Sequence, residues 1–172
     1  MKKELKLYNV IFPIWFLWLV PITWIVVLPA NFIIDLAVIV LTLKYLKENE
    51  IRKKAKFVIL KSWIFGFISD FIGTAFMLLA TLIDIDTKTP FGEWWYHNIE
   101  NAVSYYPFRS IYSVLWISGC VLISGICIYF FNYKIAFKRL NIEGAKKKKL
   151  ALSLAVFTAP YLFYLPTSWF FY

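Results

Sequence analysis

The chain has 172 residues, of which 61% are hydrophobic, 21% are aromatic and only 17% are charged. An ordinary soluble domain of this size would need a larger polar surface, so the composition indicates a protein whose solvent is largely the lipid bilayer. The net charge is +9. Because the basic residues flank apolar runs and form no separate basic domain, the charge argues against nucleic acid as a partner.

The basic residues are concentrated on one side of the apolar runs. Of 19 Lys and Arg, 17 lie in the first six residues, in 44–61 or in 132–149. The positive-inside rule assigns these segments to the cytoplasmic side. We therefore expect a multi-pass protein of the cell membrane, with its N-terminus cytoplasmic, its C-terminus outside and anionic lipid at the basic inner face. The Lys-rich and Ile/Phe-rich residue usage suggests a bacterial source.

The first two predicted spans, residues 7–28 and 32–46, form a hairpin. One continuous helix through both runs would be far too long for a bilayer, which needs about 17–25 residues. Leu28–Asn31 is therefore predicted to be a tight turn at the outer surface, with Pro29 near the first helical position of the second span. The basic inner connector that follows, residues 44–61, is predicted to be helical.

Three further apolar runs complete the predicted topology. They are residues 62–83, 110–131 and 150–172, with the second basic inner connector at 132–149. On the outer side, Thr89-Pro90 has the pattern of an N-cap followed by proline, and apolar residues recur at helical spacing from there to residue 106. This pattern predicts an amphipathic helix over 90–106, anchored at the interface by Trp94 and Trp95. Trp169 is a predicted anchor at the end of the last span.

The sequence thus predicts an all-α polytopic membrane bundle, formed by a single integral membrane domain over residues 1–172. It has five transmembrane helices and one outer interfacial amphipathic helix. Gly66 and Gly73 on the third span, and Cys120, Ser124 and Cys127 on the fourth, are small residues on stripes where another helix can approach closely. Cys120 and Cys127 are about 10 Å apart along one helix, which is too far for a disulfide between them.

Asp70 is the acid whose position is most costly. It lies in the middle of the third span, where a charge costs a few kcal/mol, so its side chain must face protein or water. Gly66 and Gly73 lie on the same face, which directs Asp70 into a helix contact or a central cavity. Two interpretations remain open: a site for a proton or cation, and a structural hydrogen bond inside the bundle.

Asp35, Asn31 and Arg109 are the other intramembrane polar candidates. Asp35 is expected about one turn beneath the outer turn, with Asn31 on its face and Arg109 at a similar level. We therefore predict an Asp35–Arg109 ion pair near the outer surface; in the alternative, each side chain reaches the headgroup water separately. Asp35 and Asp70 are expected to differ in depth by roughly 12 Å, which excludes a carboxyl dyad in direct contact.

These features predict a protein that is not an enzyme and carries no cofactor and no metal. No nucleophile–base pair and no phosphate-binding or zinc motif accompanies the acids, which also weakens the hypothesis of an enzyme that acts on lipid. The small-residue stripes and the aromatic outer helix favour a subunit of a larger membrane assembly, bound to a protein partner or to itself. Asp70 favours an alternative, a small channel or an ion- or proton-coupled carrier with Asp35 and Arg109 near its outer mouth.

Overall fold

The computed structural model describes Pro13, Trp15, Phe16 and residues 20–171. The regular elements of this part of the chain are all helical. Three segments are long and apolar enough to cross a membrane, namely Pro21–Tyr45, Ile51–Leu82 and Ile111–Ala136. The chain therefore has the features of a membrane protein. The N-terminal basic residues, and residues 7–12, 14 and 17–19 of the predicted span 7–28, lie outside the described residues.

The first long helix passes through the predicted outer turn. A 3₁₀ turn, Pro21–Thr23, leads directly into α1, Trp24–Tyr45, with Pro29 in its interior. The turn predicted at Leu28–Asn31 is therefore wrong. A proline removes one helical hydrogen bond, and packed neighbours can compensate for this inside a membrane protein. The carbonyl that loses its donor is that of Ile25, four residues before Pro29. The neighbouring helix contacts this stretch of α1, because Trp63 donates its indole N–H to the Leu28 carbonyl at 2.9 Å.

The second helix joins the first basic connector to the next apolar run. Residues 46–50 form a short link in which Lys47 and Glu50 have positive φ angles of 53° and 54°. Helix α2, Ile51–Leu82, then continues for 32 residues. Its length of about 48 Å exceeds the roughly 30 Å of a hydrocarbon core. Its basic first turns therefore extend beyond the apolar layer, and the connector is a continuation of the spanning helix.

Glu48 connects the inner ends of three helices. It lies in the link between α1 and α2, and its carboxylate accepts hydrogen bonds from Lys146 at 2.6 Å and from Lys54. Its side chain is only 10% exposed. The Lys146 hydrogen bond, followed by that of Lys54, holds the pKa of Glu48 below its usual range. The two lysines thereby tie the link to α2 and to the start of α6, Gly144–Phe157.

The outer connector is helical, as its sequence predicts. It comprises α3, Pro90–Trp95, a π turn, Tyr96–Glu100, and α4, Asn101–Tyr105. The predicted cap is confirmed, because the Thr89 hydroxyl accepts the Gly92 N–H at 3.0 Å. Trp94 packs against Tyr112 with ring centroids 4.9 Å apart. The segment therefore packs against the beginning of α5, Ile111–Phe131.

The chain after α5 differs most from the prediction. A π turn, Asn132–Ala136, ends α5, and α6 then runs for only 14 residues to Phe157. The chain leaves helical geometry at 158–160, enters a 3₁₀ turn, Tyr161–Tyr164, and ends in α7, Ser168–Phe171. A continuous fifth span over 150–172 is therefore wrong. Pro160 explains the break, because it has no N–H to donate and disfavours helical geometry in the residue before it.

The buried side chains form two apolar clusters, one toward each end of the bundle. The inner cluster includes Ile39 of α1, Val58 of α2, Ile128 of α5 and Leu154 of α6. The outer cluster joins α2 and α5 to the outer helical segment and the C-terminal turn, and its members include Met77, Ile117, Val103 and Phe163. The buried acids lie between these two clusters.

Candidate intramembrane carboxyl site

Asp35 and Asp70 line the same cavity, whose volume is about 180 Å³. Asp35 lies 14 residues into the helical run that starts at Pro21, which is about 21 Å of rise. Asp70 lies 12 residues before the end of α2 at Leu82, which is about 18 Å. The two acids are therefore at similar depth. The predicted difference of 12 Å is wrong because it places the outer end of α1 at Asn31 instead of Pro21.

Asp70 is held at the contact between α2 and α5. Its side chain is only 3% exposed, and the Ser124 hydroxyl donates to its Oδ1 at 3.1 Å. Gly73 makes this close approach possible, since a Cβ on Gly73 would lie 3.1 Å from the Ser124 Cβ and 3.3 Å from the Cys120 carbonyl oxygen. Three of the small residues singled out in the sequence, Gly73, Cys120 and Ser124, thus meet at this contact.

Asp35 reaches the same helix from the other side. Its side chain is 5% exposed, and a Cβ on Gly66 would lie 3.4 Å from its Oδ2. The absence of a side chain on Gly66 thus lets the carboxyl group lie against the backbone of α2. Gly66 precedes Asp70 by four residues, so one helical turn separates the two carboxyl positions. Among the described residues no hydrogen bond joins Asp35 to Asp70, and both face the cavity.

The break after α6 supplies the third wall. Residues 157–162 line the cavity opposite the acids, and the Thr158 hydroxyl lies within hydrogen-bond reach of Asp35. That hydroxyl donates its single hydrogen to the Leu154 carbonyl at 2.8 Å. The hydroxyl hydrogen can turn to either acceptor, so this contact suits a charged carboxylate as well as a protonated acid.

Asn31 and Arg109 are the other two predicted site residues, and only Asn31 lies beside the two acids. Asn31 lines the cavity one turn beyond Asp35 on α1. Arg109 is exposed in the outer 3₁₀ turn Pro107–Arg109. No ion pair of the described residues includes either Asp35 or Arg109, so the predicted ion pair between Asp35 and Arg109 is wrong. The reason is again the start of α1, which places Asp35 far below the outer surface.

The electrostatics of the cavity disfavour two negative charges. Among the described residues that line it there is no Lys, Arg or His. Two carboxylates about one helical turn apart would repel each other by about 3 kcal/mol at an effective dielectric constant of about 20. The volume has room for a few waters, each of which takes about 30 Å³ in the liquid. The cavity can therefore hold water beside the two carboxyl groups.

Sequence reasoning identifies the acids and misses part of their surroundings. It places Thr158 and Pro160 in an ordinary span, although the proline itself signals the break. It treats Ser124 and Gly66 as packing residues, and they also contact the two carboxyl groups. The other packing candidate, Cys127, is only partly buried. The predicted anchors Trp94 and Trp95 lie on the outer helical segment, and Trp169 is exposed on α7.

Comparison of the chain with family models, with curated proteins and with solved structures finds no match. The function must therefore be argued from the site itself.

Proposed function

We propose that this protein is a small proton-coupled carrier of the cell membrane that uses Asp35 and Asp70 as its proton-binding groups. The observation that carries this proposal is the shared cavity, which two buried carboxyl groups from different helices line without a cationic partner among the described lining residues. Acids inside a membrane are rare because they are costly, and those that persist mark ion or proton pathways by default.

The wall formed by the helix break supports the same proposal. Non-helical backbone at membrane depth is tolerated where it is buried in protein or lines a water-filled cavity. In many transporters, unwound segments of this kind supply the groups that bind the substrate or the coupling ion near the middle of the bilayer. Here the break at Thr158–Pro160 lies at the level of the acids, and Thr158 contacts Asp35 directly.

A proton suits the site better than a metal cation. Ser124 donates to Asp70 and Thr158 lies within hydrogen-bond reach of Asp35, so each carboxyl group has one hydroxyl neighbour, and a proton needs only a single carboxyl oxygen. A bound Na⁺ would need several oxygen ligands, and it would have to displace these hydrogen bonds. By the positive-inside rule, we place the basic ends of α2 and α6 in the cytoplasm.

Proton flux into proteoliposomes tests the proposal. Vesicles with the purified chain, an internal pH-sensitive dye and a valinomycin-imposed K⁺ potential should acidify faster than empty vesicles. Asp70→Asn and Asp35→Asn should each reduce this flux to the level of empty vesicles. Asp86→Asn is the matched control, because Asp86 is an exposed acid in the outer loop, and its flux should equal that of the wild type.

The control of folding is a monodisperse elution profile and an unchanged thermal midpoint for each variant. Flux through Asp70→Asn at the wild-type rate would remove the acid from the mechanism. If the wild-type vesicles acidify no faster than empty ones, while an Na⁺ gradient drives Asp70-dependent uptake, the coupling ion is sodium. The absence of any acid-dependent flux would reject the carrier.

A second function, as a subunit of a larger membrane assembly or a homo-oligomer, is favoured by α1. Only 11% of its apolar window is buried within the chain, against 39% for α2 and 28% for α5. Ile22, in the 3₁₀ turn before α1, and Ile25 and Val26, in its first turn, are each 72% exposed. A partner helix that covered this face would complete the packing of α1.

Site-directed crosslinking in native membranes tests this second function. In a chain with both natural cysteines replaced by serine, a cysteine at Ile25 should crosslink to a protein partner. A cysteine at Leu115, which is 61% exposed on α5, is the matched control and should not. Equal behaviour of the two positions, with the chain running as a monomer, would argue against a subunit role.

A further inference from the structure

A second cavity lies between α5 and α6 and meets the carboxyl cavity at Ala159 and Tyr161. It is a laterally open groove of about 470 Å³. Its lining is almost entirely hydrocarbon and includes Ser118, Leu122, Gly125, Ile126, Tyr129 and Leu152. The two helices come close at its floor, where a Cβ on Gly125 would lie 3.5 Å from the Ala155 carbonyl oxygen.

The length of the groove matches one leaflet of a bilayer. From Ser118 to Tyr129 it extends over 11 residues of α5, which is about 16 Å. Half of a hydrocarbon core is about 15 Å. The outer end is closed by Tyr161, which follows the break after α6. The groove therefore has the depth of a single acyl chain that enters from the side of the basic connectors.

Basic side chains stand at the inner mouth of the groove. On α6, Lys148 and Lys149 precede Leu152 by four and three residues, so they lie on the helix side that faces the groove. Both are exposed. The described ion pairs are Glu50–Lys53, Glu48–Lys54 and Glu48–Lys146. No acid among the described residues therefore pairs with Lys148 or Lys149.

Helix α5 contributes to the same mouth. Tyr129, which lines the groove, stacks on Tyr133 with ring centroids 5.9 Å apart. The Lys134 ammonium lies 5.6 Å from the centroid of the Tyr133 ring. A row of two phenol rings thus leads from the apolar groove to a third cation. Aromatic rings at this level are typical of the interface between hydrocarbon and headgroups.

We propose that the α5–α6 groove is a binding site for one anionic phospholipid of the basic-side leaflet. One acyl chain lies in the groove against Gly125, and the phosphate is held by Lys148 and Lys149 beside the tyrosine row. Charge complementarity selects the headgroup, and the length of the groove selects a lipid over a short soluble ligand. The groove shares Ala159 and Tyr161 with the carboxyl cavity, but Gly125, Ile126 and Tyr129 line the groove alone, so the two sites can be tested separately.

Native mass spectrometry of the full chain in detergent tests the site. The probes are phosphatidylglycerol and phosphatidylcholine with identical acyl chains. We expect one retained phosphatidylglycerol and weak retention of phosphatidylcholine. Each lysine near the surface contributes enough for a roughly five-fold change in affinity. Lys148→Gln with Lys149→Gln should therefore weaken phosphatidylglycerol binding by about 25-fold. Lys147→Gln is the matched control on the opposite side of α6 and should change it less than about two-fold.

The acyl-chain half of the site is tested by filling the groove. Gly125→Leu should lower the retention of both lipids. Ile126→Trp is a second variant for the case that Gly125→Leu fails to fold, because it leaves the contact of Gly125 with α6 unchanged. Equal binding of the two lipids by the wild type would show ordinary annular lipid and overturn the proposal. A loss in Lys147→Gln as large as in the double variant, or full binding with the groove filled, would overturn it as well.

Discussion

Gly73 is the residue on which the contact between α2 and α5, and with it the position of Asp70, depends most directly. A methyl group at Gly73 would lie 3.1 Å from both the Phe163 ring and the Ser124 Cβ, and 3.3 Å from the Cys120 carbonyl oxygen. The phenylalanine ring can turn away, but the other two atoms belong to the rigid helix α5. We therefore expect Gly73→Ala to push α5 outward by a few tenths of an ångström.

The size of the effect follows from two opposing contributions. Alanine in place of glycine stabilises a helix interior by about 0.5–1 kcal/mol. Overpacking a close contact typically costs about 1–3 kcal/mol. A methyl group at Gly119 on α5 would meet no neighbouring element within 4 Å, so Gly119→Ala gains the first contribution without the second. The difference between the two variants isolates the packing cost, about 1–3 kcal/mol, or roughly 2–12 °C in midpoint for a chain of this size.

Thermal unfolding in detergent, followed by circular dichroism, measures this difference. Gly125→Ala provides an intermediate case, because its methyl would make an ordinary contact of 3.5 Å with α6 and should be close to neutral. The shift should also stretch the 3.1 Å hydrogen bond from Ser124 to Asp70, so Gly73→Ala should slow proton flux where Gly119→Ala does not. If the two alanine variants melt together and carry protons alike, the packing argument fails.

Three further predictions concern the two ends of the bundle. The two lysine partners lower the pKa of Glu48 from an ordinary 4.5, so the ionised side chain stabilises the fold at any pH above 4.5. The difference in thermal midpoint between the wild type and Glu48→Gln should therefore be constant near neutral pH and should disappear in more acidic solution. Burial, and then the charge of Asp84, raise the pKa of Glu100 above an ordinary 4.5. The wild type should therefore lose stability relative to Glu100→Gln as the pH rises from 4.5 through that higher pKa. If Glu100 is freely solvated, thermal midpoints measured across this pH range should show no such trend. The Thr167 hydroxyl donates to the Ser104 carbonyl at 2.9 Å in a buried contact. Thr167→Val should therefore lower the free energy of unfolding by about 1–3 kcal/mol. An unchanged denaturation midpoint would show that water takes the place of the Thr167 hydroxyl.

The sequence was sufficient for the all-helical class with helices of membrane length and for the identity of the buried acids, but not for the number of spans. Apolar runs and charge placement gave helices at membrane length, and the stripe of Gly66 and Gly73 gave the orientation of Asp70 toward protein. These features are local, since they depend only on periodicity along one helix. The cap at Thr89 could be predicted for the same reason, because it involves residues three positions apart.

The relation between the acids could not be predicted, because it depends on what each proline does. Pro29 lies within a continuous helix, where Trp63 of the neighbouring helix donates to the Leu28 carbonyl. Pro160 ends α6, and the chain after it folds back over the cavity. Both prolines have the same intrinsic preference, so the local sequence alone does not decide whether the helix continues. The prediction has these two outcomes reversed, with a turn at Pro29 and a continuous span through Pro160. The predicted turn is what places Asp35 near the outer surface.

The position of the acids between two apolar clusters constrains how a carrier of this design could work. Val58 and Leu154 are fully or almost fully buried on the inner side, as are Met77 and Ile117 on the outer side. A proton that moved along the bundle from either end would have to pass one of these layers, so in such a carrier each layer would have to open in turn. The break at residues 158–160 joins α6, which packs in the inner cluster, to the turn that packs in the outer one. Bending there would loosen one cluster while the other stays closed, and it would move Thr158 relative to Asp35. Proton binding at Asp35 and the opening of the bundle would then be coupled through this single contact.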